Sequence, residues 1–174
     1  MRGRKGQTVA LMFIGESRNK VDTKGRVSIP AKFRRVLEAG DPEWKNGDNP
    51  NLYIVYGGPS RDYLECFTVE AMNDVYARIK KMGRGTKRRI ALSQLYMTQT
   101  AEASVDETGR LVLPRDLRDK IDIDGMAFFA GKGDTFEIWR PETYDANQME
   151  QLEADDDFDP DVDPSIYLGG DEGI

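Results

Sequence analysis

The spacing of apolar residues changes period several times along this chain, and the changes occur twice in the same order. From Phe13 the chain is strand-like, passes through a turn at Lys24-Gly25 and resumes over 26–29. Pro30 suits a first helical turn, and Phe33, Val36 and Leu37 keep helical spacing through Ala31–Ala39. Residues 40–51, rich in Gly, Asp, Asn and Pro, read as a loop. Residues 52–56 and 63–69 predict two strands around a Gly-Gly-Pro turn. Residues 70–81 then predict an amphipathic helix with Met72, Val75, Tyr76 and Ile79 on one face. In the second half, strands over 101–105 and 111–113 flank a Thr108-Gly109 turn, and Pro114 opens a short helix through 119. Paired strands over 126–130 and Thr135–Trp139 follow, then a helix over 141–152. Only 86–96 lacks a counterpart; there Lys87-Arg-Arg89 forms the polar side of a helix containing Ile90, Leu92, Leu95 and Tyr96.

The duplication is explicit at one phrase. Val21-Asp-Thr-Lys-Gly-Arg-Val-Ser-Ile-Pro30 returns as Val105-Asp-Glu-Thr-Gly-Arg-Leu-Val-Leu-Pro114, at an offset of 106 − 22 = 84 that still holds at Arg34 and Arg118. Further on, Leu64-Glu-Cys-Phe-Thr-Val-Glu70 matches Phe136-Glu-Ile-Trp-Arg-Pro-Glu142 at an offset of 72. The difference, 84 − 72 = 12, is assigned to a longer loop at 40–51 in the first half. One small unit is therefore used twice, and each half is near the lower size limit for an independent core, so the halves are expected to share one. The expected fold is mainly β with short helices (α+β). Its first unit spans 11–81, a connecting helical segment 82–96, and a second unit with its C-terminal helix 97–154.

Charge sharpens this picture. The net charge of −6 hides a strong segregation: residues 150–174 hold ten carboxylates and no Lys or Arg, which leaves −6 + 10 = +4 on the rest. Residues 1–35 alone carry ten basic side chains against Glu16 and Asp22, and a second basic run covers Lys80, Lys81, Arg84, Lys87, Arg88 and Arg89. A basic body with an acidic tail points to a polyanionic partner. Residues 1–10 read as a flexible basic arm. Residues 155–174 hold too little apolar surface to order themselves and read as a disordered acidic tail.

Several functions are excluded. With Cys66 as the single cysteine and no histidine, the chain has no intramolecular disulfide, His/Cys zinc site or His-based triad. Cys66 lies in a predicted strand and reads as a buried structural thiol. Asp159-Pro-Asp-Val-Asp163 resembles the start of a calcium loop, but Pro164 stands where glycine is needed and Gly170 where a bidentate glutamate is needed. Asp106-Glu-Thr-Gly109 looks superficially like an aspartic-protease turn, yet the first copy lacks the matching Asp-Thr-Gly, and no phosphate-binding loop is present. No metal, cofactor, small-molecule substrate or enzymatic activity is expected. The longest apolar runs are far too short to span a bilayer, and none follows the basic N-terminus as in a signal peptide, so a cytoplasmic protein with no membrane contact is expected.

In the repeated phrase, Gly25 and Gly109 allow a turn of positive φ between two strands. Asp22 and Asp106 stand four residues before Arg26 and Arg110, on one side of the turn, where a carboxylate can accept turn amides or hold the guanidinium. For the aspartates the reading is an internal brace. For the arginines a brace and a ligand contact both stay open. The first copy lies among Arg18, Lys20, Lys24, Lys32, Arg34 and Arg35. Such a cluster on strands and turns suits a β-ribbon entering a DNA major groove, with Arg gripping guanine and lysines on phosphates.

Together the paired phrases, the basic Ser17-Arg18-Asn19-Lys20 lead-in and the helix after each proline resemble the MraZ family of bacterial transcription regulators. Each half resembles the swapped-hairpin DNA-binding unit of the AbrB superfamily. The stretch 92–96 and Phe136-Glu-Ile-Trp139 also fit, so the resemblance covers about residues 11–150. It implies two interleaved β-hairpin units forming a pseudo-dimer within one chain. It also implies a ring-shaped homo-oligomer and a repressor-like, nucleoid-associated action on double-stranded DNA, at short direct repeats upstream of the division and cell-wall gene cluster. The DNA-binding residues are then Arg18, Lys20, Lys24, Arg26, Arg110 and Arg115, with Asp22, Gly25, Asp106 and Gly109 shaping the turns. Thr108 replaces the lysine found at Lys24, so the first copy is expected to carry more of the DNA contact. The alternative is an antitoxin-type regulator of the same hairpin class that binds its own promoter and a toxin.

Overall fold

The computed structural model describes residues 11–169; the basic arm expected over 1–10 and the end of the acidic tail, 170–174, lie outside the described residues. The first half runs β1 (Glu16–Lys20), β2 (Arg26–Ser28), α1 (Ala31–Ala39), β3 (Asn51–Val55), β4 (Tyr63–Thr68) and α2 (Val69–Lys80). Helix α3 (Lys87–Ser93) and a π-helical turn (Gln94–Thr98) lead to the second half. It repeats the order as β5 (Thr100–Ser104), β6 (Arg110–Val112), α4 (Arg115–Lys120), β7 (Met126–Gly131), β8 (Thr135–Trp139) and α5 (Pro141–Gln151). Local chemistry agrees with these boundaries. The Pro30 carbonyl accepts the first free amides of α1, from Phe33 and Arg34. Thr68 caps α2 by accepting the Ala71 amide at 3.0 Å, with Glu70 in its first turn and Arg78 and Lys80 in its last, as the helix dipole favours.

All the pairings are antiparallel. A six-stranded sheet has the order β1-β7-β8-β4-β3-β5, and β2 pairs with β6 in a separate two-stranded ribbon. Hairpins β3–β4 and β7–β8 stay within their halves, but β1 lies beside β7 and β5 beside β3. Each half thus lends its first strand to the other, and neither completes the sheet alone.

The register also corrects the loop assignment. Tyr53↔Phe67 in the first hairpin corresponds to Phe128↔Trp139 in the second, so β3 and β7 differ by 128 − 53 = 75 and β4 and β8 by 139 − 67 = 72. The exchanged strands agree, since Glu16↔Ala130 and Thr100↔Val55 are equivalent pairs under the offsets 84 and 75. Of the twelve extra residues, 84 − 75 = 9 lie between α1 and β3 and 75 − 72 = 3 in the β3–β4 turn, rather than all at 40–51. Matching the two ends of a segment reveals only the sum of the insertions between them.

Residues of both halves line one core. Leu52, Ile54, Leu64 and Cys66 meet Phe129, Phe136 and Ile138 on one side of the sheet, with Phe33, Leu37 and Leu117 from the short helices. Val27 and Leu111, the inward residues of the ribbon, are 1% and 0% exposed and belong to the same cluster, so the ribbon's register is fixed by burial. Burial pushes the Cys66 thiol well up, the state of an inert structural cysteine. On the opposite face of β3 and β4, Val55 and Phe67 pack with Met72 of α2.

Residues from 142 onward form a second unit. Where the sequence predicts disorder from 155, the chain as far as Gly169 instead makes local turns. The Asp155, Asp159 and Asp163 carboxylates each accept the amide two residues on, Phe158 and Tyr167 rings lie 5.8 Å apart, and a 3-10 turn covers Pro164–Gly169. Such Asx turns satisfy the backbone from within the segment and need no core.

Candidate nucleic-acid interface

The ribbon positions the repeated arginines. Its pairs are Arg26↔Val112, Val27↔Leu111 and Ser28↔Arg110. Strand alternation turns Val27 and Leu111 inward and the other four residues outward. Arg26 and Arg110, 84 residues apart in sequence, therefore share the outward face of one short ribbon. The two turns lie at opposite ends of it, each bonded to the other strand: the Leu113 amide donates to the Gly25 carbonyl at 2.8 Å and the Ile29 amide to the Gly109 carbonyl at 2.9 Å.

Both turns are braced by their aspartate, but differently. Asp22 Oδ1 accepts the amides of Lys24 and Arg26 at 2.9 Å, and Oδ2 accepts Arg26 Nε at 2.6 Å. Asp106 Oδ1 accepts the amides of Thr108 and Arg110 at 2.9 Å and the Thr108 hydroxyl at 2.7 Å, while Arg110 Nε donates to Thr108 Oγ1 at 3.0 Å. Thr108 thus stands between the second carboxylate and its arginine. Arg26 remains 39% exposed in spite of its ion pair, so the brace leaves part of the guanidinium open to a ligand.

These bonds favour the charged carboxylates. The Arg26 amide, joined by the Arg26 guanidinium and the Lys24 amide, outweighs desolvation and holds the Asp22 carboxyl below the ordinary aspartate range. For Asp106 the Thr108 hydroxyl is the leading influence, followed by the Arg110 amide. A native value below the unfolded one gives stability that is present above the unfolded value and lost as pH falls through the native one. The advantage of the wild type over Asp22→Asn in urea midpoint should accordingly be full at neutral pH and vanish in acid below the ordinary aspartate range. A difference that is the same at both ends of that titration would contradict the brace.

The remaining cations divide between the two ends of the ribbon. Lys24 is exposed on the first turn, and Arg115, also exposed, opens α4 two residues beyond the Leu113 amide bonded to that turn. On the adjoining edge strand, Arg18 and Lys20 share the exposed side of β1, with the Arg18 guanidinium 5.4 Å from the Phe128 ring centre. Asn19 on the other side donates to the Ser28 carbonyl at 2.7 Å and ties β1 to the ribbon. The end carrying the first turn is composite, drawing Lys24 from the first copy and Arg115 from the second, while Lys32 and Arg35 stand exposed on α1, which follows the Ile29 amide bonded to the second turn. Arg34 is occupied within the fold, where it donates to the Asp106 carbonyl at 2.5 Å and pairs with Glu38 at 3.1 Å. Its equivalent Arg118 donates to the Leu113 carbonyl at 2.9 Å. Arg89 caps the end of α2 through the Met82 carbonyl at 2.9 Å, while Lys80, Lys81, Arg84, Lys87 and Arg88 of that run are exposed.

The family model described as "MraZ protein, putative antitoxin-like" matches residues 96–162. The transcriptional regulator MraZ of Ruegeria sp. strain TM1040 is 55% identical over 159 residues, 91% of this chain and 95% of that protein. The chain belongs to the MraZ family. The MraZ regulator of Ruegeria pomeroyi is 53% identical over 163 residues, 93% of this chain and 98% of its own length. That of Rhodospirillum rubrum is 36% identical over 139 residues, 78% and 84%. The similarity to MraZ proteins thus extends across both copies of the repeat.

Two features of this MraZ-family chain escape a reading of the sequence. Arg34 and Arg118 count there among cations or as marks of the repeat, whereas Arg34 is a cross-brace to the Asp106 carbonyl of the other half and Arg118 holds the Leu113 carbonyl within its own half. The persistence of the 84-residue offset at these positions marks their equivalence but not the direction of their bonds. Thr108 reads there as a missing lysine, while its hydroxyl is the group that separates Asp106 from Arg110. The Asp-x-Thr spacing of a side-chain-bonded turn is the local signal for it.

Proposed function

We propose that this chain is a sequence-specific DNA-binding transcriptional regulator that presents the outward face of the β2–β6 ribbon to the major groove of promoter DNA. The ribbon's register carries the reading: it brings both repeated arginines, Arg26 and Arg110, to one exposed face, and a two-stranded ribbon fits a major groove. Arg26 is the central contact and Arg110 its counterpart, each suited to guanine O6 and N7. Lys24 and Arg115 at one end, with Arg18 and Lys20 on β1, take phosphates and fix the orientation. The exchange of β1 and β5 between the halves supports an AbrB-like swapped-hairpin pair fused within one chain.

The protein acts as a repressor in the nucleoid of the cytoplasm, without catalysis. It assembles as a ring on short direct repeats upstream of the division and cell-wall gene cluster. One ribbon offers few contacts, so binding to a single repeat is weak; linking several ribbons to several repeats raises avidity by about 10² to 10⁴. The antitoxin-like description of the family favours a second reading, in which the chain also binds a toxin; a toxin gene adjacent to its own would decide for it. Footprinting on the DNA upstream of the protein's own gene, over a salt series, tests the main reading. Regularly spaced protection that weakens steeply with salt is expected, and absence of protection would overturn it.

A further inference from the structure

The outward face of the ribbon holds two opposed pairs, Arg26 with Val112 and Arg110 with Ser28. Under the repeat Arg26 is equivalent to Arg110, and Ser28 to Val112, since 112 − 28 = 84. The arginine is therefore duplicated across the ribbon, while its outward neighbour is a hydroxyl on one strand and an isopropyl group on the other. Val112 is 51% exposed, whereas the inward Val27 and Leu111 are buried. A β-branched residue suits a strand by propensity, but serine at the equivalent place shows that the ribbon pairs without one.

We infer that Val112 is a specificity-determining residue that packs on the 5-methyl group of a thymine, while Ser28 offers a hydrogen bond at the equivalent place. The inference rests on the DNA-binding reading above. In the major groove only thymine carries a methyl group, and an aliphatic side chain recognises it by contact. Arg26 and Arg110 grip alike on the two strands, so the unequal Ser28 and Val112 give the site a direction. A ribbon with nearly symmetric arginines thereby reads an asymmetric sequence, as oriented repeats require.

The test uses the full chain and a random pool of duplex DNA. The wild type enriches a sequence from the pool, and its thymines are then replaced one at a time by uracil, which removes only the methyl group. One replacement is expected to weaken the wild type by about four-fold, the size of burying one methyl group. The same replacement should leave Val112→Ser unaffected, while Val112→Thr, which keeps a methyl at the same place, should retain the loss. Val112 is exposed, so neither variant threatens the core. Wild-type binding that tolerates uracil everywhere, or an equal loss in Val112→Ser, would overturn the inference and leave the ribbon as the DNA surface. A pool from which nothing is enriched would overturn both.

Discussion

Gly25→Ala is expected to destabilise the protein by about 3 kcal/mol, and Gly109→Ala by only about 1–2 kcal/mol, although the two glycines occupy equivalent places in the repeat. Both have left-handed backbones, φ +86 and +81, which an L side chain adopts at about 1–2 kcal/mol. Their surroundings differ. A Cβ on Gly25 would stand 2.2 Å from the Leu113 carbonyl oxygen and 3.0 Å from Arg118 Nε, whereas one on Gly109 would meet nothing within 4 Å. The Leu113 carbonyl is backbone, held by Arg118 Nε at 2.9 Å, and its own amide bonds to Gly25. Relief of the overlap must therefore pull the first turn off the second half. Urea unfolding at matched protein concentration reads the difference, and equal losses for the two variants would contradict this account of the turns.

Arg26→Ala is expected to abolish sequence-specific DNA binding while the fold persists. Its ion pair with Asp22 is 39% exposed on both sides, and exposed pairs contribute about 0–1 kcal/mol, so little stability is at stake. A bidentate arginine–guanine contact discriminates by about 1–3 kcal/mol, and the effect multiplies when several ribbons bind together. Arg110→Ala should act in the same direction with even less effect on folding, because the Arg110 side chain bonds to the Thr108 hydroxyl and not to the carboxylate. Lys24→Ala and Arg115→Ala should instead weaken all DNA sequences alike and reduce the salt dependence, as phosphate contacts do.

The elements of this fold are largely legible in the sequence because local physics determines them. Helical spacing at Phe33, Val36 and Leu37 marks α1, and short, largely apolar segments separated by turn residues mark both hairpins. The partner of each outer strand is not legible. Alternation fixes which face of β1 turns inward, but it is the same whether β1 pairs with β3 or, as it does, with β7. The turn site is half legible. Asp22 and Asp106 can be read as braces from their four-residue spacing to the arginines, a local matter. That Arg34 reaches the Asp106 carbonyl from 72 residues away, and that Arg115 joins the end of the ribbon carrying Lys24, are consequences of the tertiary pairing. The end of the ribbon carrying the first turn therefore draws its exposed cations from both copies.

The claim that the outward face of the β2–β6 ribbon is the DNA-binding surface is tested most directly by titrating the upstream promoter DNA with wild type, Arg26→Ala and Arg110→Ala over a salt series. Unrelated DNA of equal length serves as the competitor. Both variants are expected to keep the wild-type unfolding free energy in urea to within about 1 kcal/mol, and to bind promoter and competitor DNA equally weakly. Folded variants that retain the wild-type preference for the promoter would contradict the account.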